Sequence, residues 1–144
     1  MSDQIQLLIG ATPWLPSAES ELVEEYAHYD MPTVGVISQY GCYFLFECVE
    51  GVVDNFNIWV YAPITKKEEE ELSQLTGSEL TEAIDAIWGS RDLTAAIAEG
   101  DAILTGGPVV QATVKRLGVT RAALNALHTL VKGIDAASAL EPAV

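Results

Sequence analysis

The chain has 144 residues, a formal net charge of −14 and 49% apolar residues. That size and apolar content support a core without disulfide or metal staples and exclude wholesale disorder, while the charge opposes casual association with nucleic acid or anionic membranes. The start MSDQIQLLIG lacks the basic residues and long apolar run of a secretory signal, and Glu47 and Glu50 interrupt the best membrane-helix candidate, so the sequence predicts a cytoplasmic protein with no membrane partner.

Residues 4–9, QIQLLI, alternate with Ile5, Leu7 and Ile9 on one side, which predicts a short strand. After the TPWLP turn, Ser17 is placed to cap a helix with Glu19 and Glu21 in its first turn, where carboxylates favour the positive end of the helix dipole. Leu22, Val23, Tyr26 and Tyr29 share one face of it, and it should stop by Asp30 because Met31 precedes Pro32. Three strand-like runs follow at 33–38 (TVGVIS), 42–49 (CYFLFECV) and 56–62 (FNIWVYA), joined by links that suit antiparallel hairpins and are too short for parallel crossovers.

The second half reads as helical. Thr65 and Glu68 form a capping box opening a helix through Leu72 and Leu75, which Gly77 should end. Ser78 starts another, whose apolar stripe Leu80, Ala83, Ile84, Ile87 and Trp88 runs up to Gly89. A shorter helix is expected from Asp92 to Glu99, then a last strand at AILT, then helices from Pro108 to Leu117 and from Arg121 to Lys132. Together these predict an α+β fold: an antiparallel sheet of about four strands mostly from the N-terminal half, packed against helices largely from the C-terminal half. Residues 1–133 form a single domain on this reading, and 134–144 a flexible tail.

In a strand over 42–49, Cys42 and Cys48 point the same way but lie roughly 20 Å apart, beyond the reach of a disulfide or a shared metal. Glu47 and Glu50 beside Cys48 oppose a reactive thiolate, so both cysteines read as small core hydrophobes. Tyr43, Leu45 and Glu47 occupy the strand's other face, alongside either the Asn57, Trp59, Tyr61 row or the Phe56, Ile58, Val60 row. Both faces then carry large apolar groups and need cover, from within the chain or from a partner. Tyr43, Trp59 and Tyr61 are the candidate partner-interface residues, because aromatic side chains with polar tips are enriched at interfaces.

His28 and His128 lack a partner at metal-binding spacing, and the GGP turn at 106–108 is not followed by the Lys-Ser/Thr of a phosphate loop. No catalytic residue, metal or cofactor is assigned. A site assembled only by folding, joining Cys48, a histidine and a carboxylate, stands as the third functional reading.

Between Asp101 and Asp135 there is no acid but four cations, Lys115, Arg116, Arg121 and Lys132, making this segment +4 and the remainder −18. VVQATVKRLGVTRAALNAL, with its Gly118-Val119-Thr120 turn, resembles the helix-turn-helix DNA-binding motif over residues 108–132. The resemblance implies that Arg121 and Asn125 contact bases or backbone while Lys115, Arg116 and Lys132 position phosphates. Val114 departs from the small residue usual four before the turn glycine. Read without it, Val110, Val114, Leu117, Leu124, Leu127 and Val131 form the packing stripe of an ordinary αα-hairpin, the preferred reading.

The leading expectation is a non-enzymatic, acidic interaction or regulatory protein acting through contacts with another protein, including an inhibitor of a basic partner or a homodimer. The alternative is a DNA-binding regulator using residues 108–132.

Overall fold

The computed structural model describes residues 4–49 and 56–109. Strands β1 (Ser20–His28), β2 (Pro32–Gln39), β3 (Cys42–Val49), β4 (Phe56–Ile64), β5 (Leu93–Glu99) and β6 (Ala102–Val109) pair with their chain neighbours in one antiparallel sheet of order β1-β2-β3-β4-β5-β6. Helices α1 (Lys66–Ser73) and α2 (Gly77–Trp88) connect β4 to β5. The mixed α+β class is present. Its details differ in part from expectation: among the described residues the strands number six rather than about four, and β5 and β6 fall in the second half of the chain beside α2, with α1 at its midpoint, so the described second half is not mainly helical.

Short turns set this meander. Tyr40 and Gly41 between β2 and β3 both have positive φ (50° and 80°), the pattern of a two-residue hairpin turn whose twist matches its strands. The resulting register pairs Glu47 with Val60, Leu45 with Ala62 and Tyr43 with Ile64, so Tyr43, Leu45 and Glu47 share their face with Ile58, Val60 and Ala62. Trp59 and Tyr61 lie on the opposite face with Phe44 and Phe46.

On the first face, Val34, Val36, Leu45, Ile58 and Val60 are covered by Leu72 of α1 and by Ile84, Ile87 and Trp88 of α2. The expected capping box forms: the Thr65 hydroxyl accepts from the Glu68 amide at 3.1 Å, and Glu68 accepts from the Thr65 amide at 2.9 Å. The apolar stripe anticipated for the second helix is the stripe that α2 buries.

The second face is covered by the N-terminal segment. Ile5, Leu7 and Trp14 pack on Ile37, Phe44, Phe46, Trp59, Tyr61 and Ile103. Small residues on β5 and β6 make room for it: Ala96 and Ala98 are fully buried, and a Cβ at Gly106 would lie 2.3 Å from the Leu7 Cδ1. Three sets of hydrogen bonds hold the segment. The buried Gln39 amide accepts from the Gln6 N–H (2.9 Å) and donates to the Gln6 carbonyl (3.0 Å). The Tyr61 hydroxyl donates to the Pro13 carbonyl (3.0 Å), and Ile103 exchanges backbone bonds with Gly10 and Ala11.

Four sequence expectations are corrected. Residues 4–9 form no strand, because Gln6 bonds to a side-chain amide rather than to a neighbouring ladder. The helix expected from Ser17 to Asp30 is strand β1; two bulges, after Leu22 and after Glu25, break its alternation and put Val23 and Tyr26 on one face at a helix-like spacing. Ser17 caps a turn instead, accepting from the Glu19 amide at 3.2 Å. The alanine-rich 92–99 segment is β5, where burial on both faces outweighs alanine's helix propensity. Gly106, Gly107 and Pro108 belong to β6, at the edge of the described sheet, where a proline is tolerated, rather than opening a helix. The helices expected beyond Val109, and the 134–144 tail, lie outside the described residues.

Candidate functional site

Tyr43, Trp59 and Tyr61 do not share a surface. Trp59 and Tyr61 are 0% and 1% exposed beneath the N-terminal segment, with the Trp14 and Phe46 rings centred 6.0 and 6.1 Å from Trp59. Burial, with the Cys48 thiol nearby, holds the Tyr61 phenol above its ordinary value and keeps it a neutral donor to Pro13. Tyr43 is half-buried on the opposite face, at the margin of the helix-covered core.

Cys42 and Cys48 form no disulfide and sit at opposite ends of β3, both half-buried against the second core. His28 lies on β1, with β2 between it and β3, and its Nδ1 is hydrogen-bonded to Glu25. The fold therefore does not bring Cys48 and His28 together. His128 and the DNA-contact candidates Lys115, Arg116, Arg121, Asn125 and Lys132 lie outside the described residues. Among the described residues, no group of three His, Cys, Asp or Glu side chains is arranged to hold a metal, and no helix is long and apolar enough to cross a membrane.

The described surface is dominated by carboxylates, with Lys66, Lys67 and Arg91 as the cations among the described residues. Its glutamates are most concentrated on β1 and α1. β1, at the edge of the described sheet, carries the exposed Glu21 and Glu25 and the half-buried Glu24. α1 places Glu69, Glu70 and Glu71 along its length, in a helix whose acidic first turn suits the dipole. Tyr26 of β1 packs against the core that includes Leu72 of α1. Desolvation, reinforced by Glu24 from β1 and Glu69 from α1, pushes its phenol up to about 12, and its hydroxyl is buried without a hydrogen-bond partner. The bulges and charges of β1 also discourage edge-to-edge strand pairing.

Beside this surface, α1 and α2 flank a groove of about 280 Å³ lined by Leu72, Leu75, Ala83, Ala86 and Ile87, with Glu68, Glu71 and Arg91 at its polar margin. Arg91 grips both oxygens of Glu68 and donates to the Pro63 carbonyl at 3.0 Å, so one guanidinium ties the start of α1 to the end of β4. The Arg91 hydrogen bonds, aided by the Thr65 amide, bring the Glu68 carboxyl down to about 2. The capping pattern picked out Glu68 in the sequence. Its partner, 23 residues further on, carries no local signal.

Another polar contact invisible to sequence reading is buried: the Trp88 indole donates to Glu47 at 3.2 Å. Glu47 is 8% exposed on a strand that alternation alone reads as ordinary. No protein-family model, curated protein or solved structure matches the chain.

Proposed function

We propose that the protein is a non-enzymatic interaction or regulatory protein that contacts a basic protein partner through the carboxylates of β1 and α1. The supporting observation is that Tyr26 of β1 packs against the core that holds Leu72 of α1, with the charges of Glu24 and Glu69 both acting on its phenol, so two acidic elements lie within electrostatic reach of one aromatic side chain. Such a surface steers a cationic partner by long-range attraction, and an apolar phenol flanked by carboxylates suits the stem and head of a lysine or arginine side chain. Two copies of the chain repel each other here, which favours a foreign basic partner over self-association at this surface. Competition with nucleic acid for such a partner is the form of inhibition this reading supports.

The test compares the wild type with a variant neutralised at Glu21, Glu24, Glu25, Glu69 and Glu70 (each to Gln), by crosslinking and mass spectrometry in extract from the native source. Basic proteins captured by the wild type, released by salt and lost in the folded variant support the proposal. Equal capture by both overturns it.

A further inference from the structure

We infer that the groove between α1 and α2 is a lysine pocket, which takes the aliphatic stem and ammonium head of one lysine side chain from the basic partner. This inference rests on the proposed basic partner and names the side chain by which it is held. The walls are firm. Leu72 and Ile87, two of the lining residues, are 3% and 6% exposed and belong to the helix-covered core, so they cannot swing away without disturbing it. Ala83 and Ala86 also line the groove, and their single methyl groups leave open the space that longer side chains would fill. At about 280 Å³ it falls just below the ~300–1,000 Å³ typical of small-molecule sites, a size suited to one long side chain.

The charge at the groove selects a cation. Of its three ionic groups, Glu68 and Arg91 neutralise each other, since the guanidinium holds both carboxylate oxygens. Glu71 is left, exposed and, among the described residues, in no ion pair. The helix ends add to it. Glu71 and Leu72 belong to the last turn of α1, and Ala86 and Ile87 to the last turn of α2; neither turn carries a basic residue to balance the negative end of its dipole. A carboxylate and two negative helix ends therefore line one apolar groove. Lysine matches this arrangement, because its four methylenes suit the leucine and isoleucine walls while its compact ammonium stays at the wet margin by Glu71. Arginine's planar fork is best met by a carboxylate that grips two nitrogens, and Glu68, the groove carboxylate held in that way, is already taken by Arg91.

The pocket is tested on the full-length protein with Nα-acetyl-lysine amide as the probe, followed through the methyl resonances of Leu72, Leu75, Ala83, Ala86 and Ile87. The probe should shift these resonances saturably, and Nα-acetyl-norleucine amide, which keeps the four-carbon stem without the ammonium, should bind more weakly. Glu71→Gln should weaken the lysine probe about two- to fivefold, the effect of one exposed ion pair, and leave the norleucine probe unchanged. Ala86→Leu fills the groove from an exposed helix position and should abolish binding of both. Equal or tighter binding of the norleucine probe, an unchanged lysine affinity in Glu71→Gln, or wild-type binding in Ala86→Leu overturns the inference. Capture of basic proteins from extract separates it from the reading on which it rests. Lysine-probe binding without any such capture by the wild type upholds the pocket and overturns the partner; equal capture by wild type and Ala86→Leu overturns the pocket alone.

Discussion

Trp88 on α2 and Glu47 on β3 are 41 residues apart in the chain, yet the indole N–H of one reaches the buried carboxyl of the other at 3.2 Å. A hydrogen bond contributes about 0.5–1.5 kcal/mol net, and removing the donor to a buried acceptor costs about 1–3 kcal/mol. Trp88→Phe should therefore cost about 2–3 kcal/mol in urea unfolding, more than the loss of ring area alone. In a double-mutant cycle with Glu47→Gln the coupling should exceed about 0.5 kcal/mol. Additive single effects would show that the contact contributes nothing of its own.

The N-terminal cover depends on side chains that imitate backbone. Gln39 satisfies both the N–H and the C=O of Gln6, so Gln39→Leu orphans two polar groups at once and should cost about 2–3 kcal/mol. Tyr61→Phe removes a single hydroxyl donor to Pro13 and should cost about 1 kcal/mol. Amide exchange at Gln6 should accelerate in the first variant and not in the second. Unchanged exchange at Gln6 in Gln39→Leu would contradict the clasp.

Gly35 is required by close approach. A Cβ there would stand 2.3 Å from the Glu24 carbonyl oxygen and 3.0 Å from the Phe46 ring. Gly35→Ala must push β1 away or displace a core ring, at about 1–3 kcal/mol, measured by thermal unfolding. A variant as stable as the wild type would mean that β1 yields freely.

The Glu68–Arg91 pair makes stability depend on acid. The folded-state value of Glu68, about 2, lies below its ordinary 4.5, so its contribution is fully present above about 4.5 and is lost as pH falls towards 2. Both side chains are partly open to solvent, which limits the effect to about 1 kcal/mol. The stability difference between wild type and Arg91→Met should shrink between about pH 5 and pH 2. A difference constant across that window would sink the assignment.

Tyr26 has the opposite sign. Its phenol is raised from 10.0 to about 12, so folding favours its neutral form; that contribution is present below pH 10 and is lost as pH rises through about 12. Tyr26→Phe also removes a buried hydroxyl without a partner and should be neutral or stabilising by up to about 1 kcal/mol at neutral pH. Alkaline titration followed by tyrosinate absorbance should lose one late-ionising group in the variant. Loss of an early one would place Tyr26 in water.

Much of the sheet and both described helices were legible because their signals are local. β2, β3 and β4 are apolar runs bounded by turn residues, the capping box marks the start of α1, and the Ile84–Ile87–Trp88 stripe marks the buried side of α2. Local signals misled where tertiary pairing overrode them. Glutamates and a three-residue spacing made β1 look helical, and alanines did the same for β5, whose small side chains serve instead to admit Leu7 and its neighbours over the second face. The candidate surface shows the same division.

By itself, the sequence determined the acidity of the chain, the antiparallel meander at its centre and the chemistry of each side chain, because composition, period-two alternation and turn geometry act over a few residues. Only the tertiary structure decided that Trp59 and Tyr61 face inward while Tyr26 packs against the helix-covered core within reach of the Glu24 and Glu69 charges, because strand register, bulges and the choice of cover for each face are set by contacts between residues dozens of positions apart.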